Sequence, residues 1–98
     1  MATDKSYAEF IAEQLSLTDG FSMRPMMGEY LIYVGKKTVG GIYDDRLLVK
    51  PTASAKRLLA GAPLELPYEG AKEMLLVNDV EDREFLKELF ESVGRDLE

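Results

Sequence analysis

Tyr7, Phe10, Ile11, Gln14 and Leu15 recur at the three- and four-residue spacing that lines up one face of an α-helix. Ser6-Tyr7-Ala8-Glu9 has the form of a capping box, which predicts that this helix begins there, and Asp19-Gly20 supplies the turn chemistry that ends it. From Phe21 the period changes. β-Branched and aromatic residues come in short runs cut by Gly28, Gly35-Lys36-Lys37 and Asp44-Asp45, predicting strands at about 21–27, 29–35, 38–43 and 46–50 joined by tight turns. In the third of these, strict alternation puts Val39, Gly41 and Tyr43 on one face and Thr38, Gly40 and Ile42 on the other.

Pro51 and Thr52 close the strand run, and Ser54 to Ala60 reads as a short helix stopped by Gly61 and Pro63. Leu64, Leu66 and Tyr68 alternate, Glu69-Gly70 turns the chain, and Met74 to Asn78 returns as an apolar strand, which makes a second hairpin. Asp79 is positioned to cap a last helix with Glu81 and Asp82 in its first turn, and Leu86, Leu89, Phe90, Val93 and Leu97 form its apolar stripe. The order predicts one domain over residues 1–98: a two-layer α+β arrangement, α-β(3–4)-α-β(2)-α, with an antiparallel sheet and its helices on one face.

Composition fits a small globular domain: 46% of the 98 residues are hydrophobic and 31% charged, and no apolar run approaches the length of a membrane span. The N-terminus has neither the basic-then-apolar pattern of an export signal nor an arginine-rich transit pattern, so a cytoplasmic location is expected. Cysteine and histidine are both absent, which removes disulfides, thiolate nucleophiles, the commonest general base and the commonest transition-metal ligand. The expectation is a protein that is not an enzyme and carries no cofactor and no metal.

The net charge of −6 is unevenly spread. Residues 1–23 carry −3. Residues 24–57 carry seven basic against three acidic side chains, +4, and the remainder carries −7. An acidic chain thus has a basic middle, and a patch made of Lys36, Lys37, Arg46, Lys50, Lys56 and Arg57 would suit phosphates if turns gathered it; solvated turn charges are the plainer account.

Other motifs carry less. Gly40-Gly41 lacks phosphate-loop spacing and sits within a strand pattern, so a bulge or a close backbone approach explains it better. Asn78 to Leu89 lacks the glycine and the closing glutamate of a calcium loop, and Asp44-Asp45 reads as turn chemistry rather than a carboxylate dyad. Tyr30, Tyr33, Tyr43 and Tyr68 suit packing on strands, and Met23, Met26 and Met27 suit a core or an adaptable binding surface. Arg24, in a stretch suited to burial, has two readings: an ion pair with Glu29, or binding of an anion or partner. The candidate interaction surface is therefore Arg24, Glu29, Lys36, Lys37, Arg46 and Lys50.

Arg24, Met26, Met27 and Gly28, then Tyr30-Leu31-Ile32-Tyr33, Ile42-Tyr43-Asp44-Asp45, Leu47-Leu48-Val49-Lys50 and Pro67-Tyr68-Glu69-Gly70 together resemble the N-terminal domain of the TfoX/Sxy family. Met27 stands where that pattern has phenylalanine, Glu29 where it has a second glycine, and Lys36-Lys37 where it has an aspartate-glycine turn. The resemblance is to that domain standing without the C-terminal helical domain of full-length members. It implies a fold similar to secretion-chaperone-like domains and a non-enzymatic regulatory module, homodimeric in keeping with such domains, that assists a cyclic-AMP-receptor-type transcription activator in competence regulation. It carries over no catalytic residue. Direct nucleic-acid binding through the basic patch, and small-ligand or anion binding at Arg24, are the alternatives.

Overall fold

The structure, a computed structural model, describes residues 3–98; Met1 and Ala2 of the expected domain lie outside the described residues. Its elements run α1 (Lys5–Gln14), β1 (Phe21–Met26), β2 (Glu29–Val34), β3 (Lys37–Tyr43), β4 (Arg46–Val49), α2 (Ala53–Leu58), β5 (Leu64–Glu65), β6 (Met74–Leu76) and α3 (Arg83–Asp96). The six strands form one sheet in the order β1-β2-β3-β4-β6-β5, antiparallel throughout, so the crossover through α2 carries β5 outside β6. The fold is α+β, as the sequence pattern predicts. No helix among the described residues is long and apolar enough to cross a membrane.

The main core lies between the helices and one face of the sheet. Ala8, Ile11 and Leu15 from α1 and its end, Ala55 from α2, and Leu86, Leu89, Phe90 and Val93 from α3 meet Ile32, Ile42, Leu47, Val49 and Leu75. Burying each large aliphatic or aromatic side chain contributes about 1.5–3 kcal/mol before conformational entropy is charged against it. The contact is close enough that a side chain on Gly94 of α3 would meet Cγ1 of Val34 at 2.9 Å, so glycine sets how near α3 sits to β2.

Helix starts differ from expectation in an instructive way. Asp4, not Ser6, caps α1: its carboxylate accepts from the Ser6 N–H at 2.9 Å and from the Ser6 hydroxyl at 2.8 Å, so the serine donates to the cap it was expected to be. Asp82, not Asp79, caps α3 by accepting from the Phe85 N–H at 3.0 Å. In both cases several acids or hydroxyls compete, and the docking of the apolar stripe decides which one stands at the first turn. Buried Gln14 joins the two helices, donating to the Val80 carbonyl at 2.9 Å and accepting from Arg83 Nε at 3.1 Å.

The third strand departs from strict alternation. Ile32 pairs with Gly40 but Tyr33 pairs with Thr38, so Val39 is an extra residue and the register shifts there. The shift turns Val39 onto the helix side with Ile42, while Gly41 and Tyr43 face the other way. The expected grouping of Val39 with Gly41 and Tyr43 is therefore corrected. Gly40 is needed because any side chain there would run into the Leu48 carbonyl of β4.

Asp96, at the end of α3, joins that helix to α2: its carboxylate accepts from the Ser54 N–H at 2.8 Å and the Ser54 hydroxyl at 3.1 Å. The Ser54 N–H first, then the Thr52 and Ser54 hydroxyls, hold its carboxyl below the ordinary 3.8. A lowered folded-state value means this contribution is complete above pH 3.8 and is lost as pH falls through the lower folded value. In acid titrations followed by urea denaturation, Asp96→Asn is expected to flatten the pH dependence of stability in that acidic window relative to wild type; parallel curves would refute the role.

Candidate functional site

Among the described residues, no helix packs on the reverse face of the sheet. Strand parity places Ser22, Arg24 and Met26 of β1, Leu31 and Tyr33 of β2, Gly41 and Tyr43 of β3, Leu48 of β4 and Met74 and Leu76 of β6 on it. Tyr43, Leu48 and Met74 are nonetheless buried, with Leu31 and Leu76 packed against them. The segment between β5 and β6 lies beside Tyr43 and Met74, with Pro67 buried and the Tyr68 ring 6.0 Å from that of Tyr43 at 51°. Gly41 allows the Tyr43 ring to lie on the sheet, since a side chain there would meet Cε2 of Tyr43 at 2.6 Å.

Arg46 fastens this segment. Its Nε donates to the Tyr43 carbonyl at 3.1 Å, Nη1 to the Glu65 carboxylate at 2.8 Å, and Nη2 to the Leu66 and Pro67 carbonyls at 3.1 and 3.4 Å. The planar guanidinium with several fixed donors is the group suited to gather one carboxylate and three carbonyls. Arg46, expected on an open basic surface, is thus occupied within the fold.

Two neighbouring turns are braced together at the same end of the sheet. Met27 and Gly28 take φ of +52° and +87° between β1 and β2, and Asp44 and Asp45 take +53° and +59° between β3 and β4, as two-residue hairpin turns require. Thr3 ties them: its N–H donates to the Gly28 carbonyl at 3.0 Å, its hydroxyl donates to Glu29 Oε1 at 2.6 Å, and it accepts from the Asp45 N–H at 3.3 Å. Glu29 also accepts from the Asp44 N–H. The expected Glu29–Arg24 pair is therefore replaced: Arg24 is exposed and lies over the Tyr33 ring, 5.4 Å from its centroid.

Between these turns and the clasped segment lies a groove of about 720 Å³. Met26, Met27, Tyr43, Leu66, Pro67 and Tyr68 form its apolar surface, and Glu29, Asp44, Arg46 and Glu69 its polar rim. Met27 is 98% exposed, Tyr68 57% and Leu66 47%. Burial first, then Tyr68, Glu29 and Tyr33, push the Tyr43 hydroxyl up, so it stays protonated and is no base at neutral pH.

The six sequence-derived candidates separate into groups. Glu29 and Arg46 are at the groove; Lys36 in the β2–β3 turn and Lys37 at the start of β3 are at the opposite end of the strands, and Lys50, whose N–H donates to Val39, is at that same far end. Arg24 lies between them on β1. Reading residues one by one missed Leu66, Pro67 and Glu69. Two signals pointed to the groove: methionine before glycine in a turn that favours asparagine, and a proline interrupting the Leu64-Leu66-Tyr68 alternation.

No family model matches this chain, and no solved structure matches it. Over 80 residues it is 39% identical to the "Uncharacterized 12.7 kDa protein in trpE 5'region" of Spirochaeta aurantia, a match that covers 82% of this chain and 70% of that protein.

The clasp generates a testable asymmetry. Arg46→Lys keeps the charge but not the fork, so it is expected to raise hydrogen exchange at the Ala71 amide, which donates to the Tyr68 carbonyl, nearly as much as Arg46→Ala. Glu65→Gln, which removes only a partly exposed ion pair, is expected to cost under about 1 kcal/mol. Full protection in Arg46→Lys would show that charge alone holds the segment.

Proposed function

The chain belongs to the same family as that spirochaete protein, and from the geometry of its reverse sheet face we propose that it is a non-enzymatic protein-interaction module that uses the groove beside Met27 and Tyr68 to hold a partner. The resemblance to TfoX/Sxy N-terminal domains extends the proposal: the partner is a transcription activator, the setting is the cytoplasm, and the module works as a homodimer. The observation that carries the reading is Met27. A large apolar side chain fully in water, on a residue held at positive φ where asparagine or aspartate is more at ease, is unfavourable on two counts. Strain of this kind is a pointer to function when the surroundings fix it, as Thr3 and Gly28 do here. The absence of histidine and cysteine supports the non-enzymatic part.

A second reading has its own observation. Lys36, Lys37 and Lys50 share one end of the sheet, with Lys56 and Arg57 in the last turn of α2, and such a set suits a nucleic-acid backbone.

A tagged pull-down from native lysate, treated with nuclease and analysed by mass spectrometry, separates the two. A transcription factor retained by wild type after nuclease, lost with Met27→Asn and Tyr68→Asp and kept with Lys36→Glu/Lys37→Glu, is the expected result. Met27→Asn suits the turn, so its melting temperature is expected to match or exceed wild type. Capture that vanishes with nuclease or with the lysine reversals moves the function to nucleic acid. Independently, light scattering is expected to give twice the 11.0 kDa of the chain; 11.0 kDa at every concentration would remove the homodimer.

A further inference from the structure

The charge of the groove narrows the chemistry of what it holds. Among the described residues Arg46 is the one cation lining the groove, and its donors are engaged by Glu65 and by the carbonyls of Tyr43, Leu66 and Pro67. Three carboxylates remain on the rim: Glu29, Asp44 and Glu69. Glu29 accepts hydrogen bonds from Thr3 and Asp44, and Asp45 and Asp4 stand beside the same turn, the Asp4 N–H donating to Asp45 at 2.8 Å. The apolar floor is therefore ringed by acid on a chain of net charge −6.

We infer that the occupant is a basic amphipathic segment of the partner protein: an apolar side chain seated on Pro67 and Tyr43 between Met27 and Tyr68, flanked by lysines or arginines that face Glu29, Asp44 and Glu69. The inference rests on the interaction-module reading and specifies its partner. Opposite charge on the rim selects partners and speeds encounter, while the apolar centre supplies the affinity. Tyr68 and Met27 suit the flanks as well as the anchor, because the aliphatic stem of a lysine or arginine packs on such surfaces while its head reaches the acids.

The competing occupant is a second copy of this chain. A two-fold contact through the groove would set Glu29, Asp44 and Glu69 against the same acids of the copy, an uncompensated like-charge arrangement. A closed pair that brought the copy's Lys36 and Lys37 to the groove would need the two sheets to lie antiparallel, each lysine end on the other's groove, and the lysine reversals below test that arrangement. The homodimer proposed above therefore does not join groove to groove.

The test is selection of a random twelve-residue peptide library displayed on phage against the full chain, with Met27→Asn and Tyr68→Asp proteins as counter-selection. Enriched groove-dependent peptides are expected to pair an apolar or aromatic residue with an excess of lysine and arginine. A synthetic copy of the most enriched one, followed by fluorescence anisotropy, is expected to bind more weakly as salt rises. It is also expected to lose about tenfold in affinity to Asp44→Lys/Glu69→Lys, roughly the worth of two exposed ion pairs. Groove-dependent peptides that are neutral or acidic, affinity indifferent to salt and to the reversals, or no groove-dependent enrichment at all would each overturn the inference. The interaction-module reading is judged separately, by whether the native partner is still lost with Met27→Asn. Growth of the protein's own mass in light scattering, abolished by Lys36→Glu/Lys37→Glu, would give the groove to a second copy.

Discussion

A six-stranded sheet has two faces, and in this protein the three helices cover one of them. An uncovered apolar face is costly in water, and a chain of this size can bury only part of its surface. The reverse face is therefore closed economically: a short segment between β5 and β6 folds back beside Tyr43 and Met74, and Arg46 holds it there. What the segment does not reach becomes the groove. The clasp and the candidate site are thus two consequences of one shortage of covering structure.

The same economy explains the glycines of β3. With Val39 bulged toward the helices, the strand changes face, and Gly40 and Gly41 occupy the two places where backbone and ring come closest. Gly41 lets the Tyr43 ring lie flat, which puts it within reach of Tyr68 and gives the groove its floor. A glycine pair that looks like a phosphate loop in one dimension is, in three, the hinge on which a packing layer turns.

The charges divide along similar lines. The basic middle of the chain is real as composition, but a meander sends successive turns to opposite ends of the sheet, so Lys36 and Lys37 are separated from Arg46 by the length of the strands. Arg46 is further withdrawn by its internal bonds, and Glu29 by its part in bracing two turns through Thr3. The end of the sheet that carries the groove is consequently acidic, and its apolar side chains are those on which the proposed function depends.

Periodicity and turn chemistry determined the element order, the four-stranded meander, the apolar stripes of α1 and α3 and the α+β class, because these depend on contacts within a few residues or on a repeat that survives in one dimension. The tertiary structure alone decided which acid caps a helix, where β3 changes face, that Glu29 serves Thr3 instead of Arg24, and that Arg46 clasps a segment about twenty residues away. Each of those depends on which of several chemically equivalent partners the packing brings within 3 Å, and sequence spacing does not encode that choice. Met27 belongs to both: its place before Gly28 was legible as a turn, but its exposure beside Tyr68 exists only once the two hairpins stand side by side.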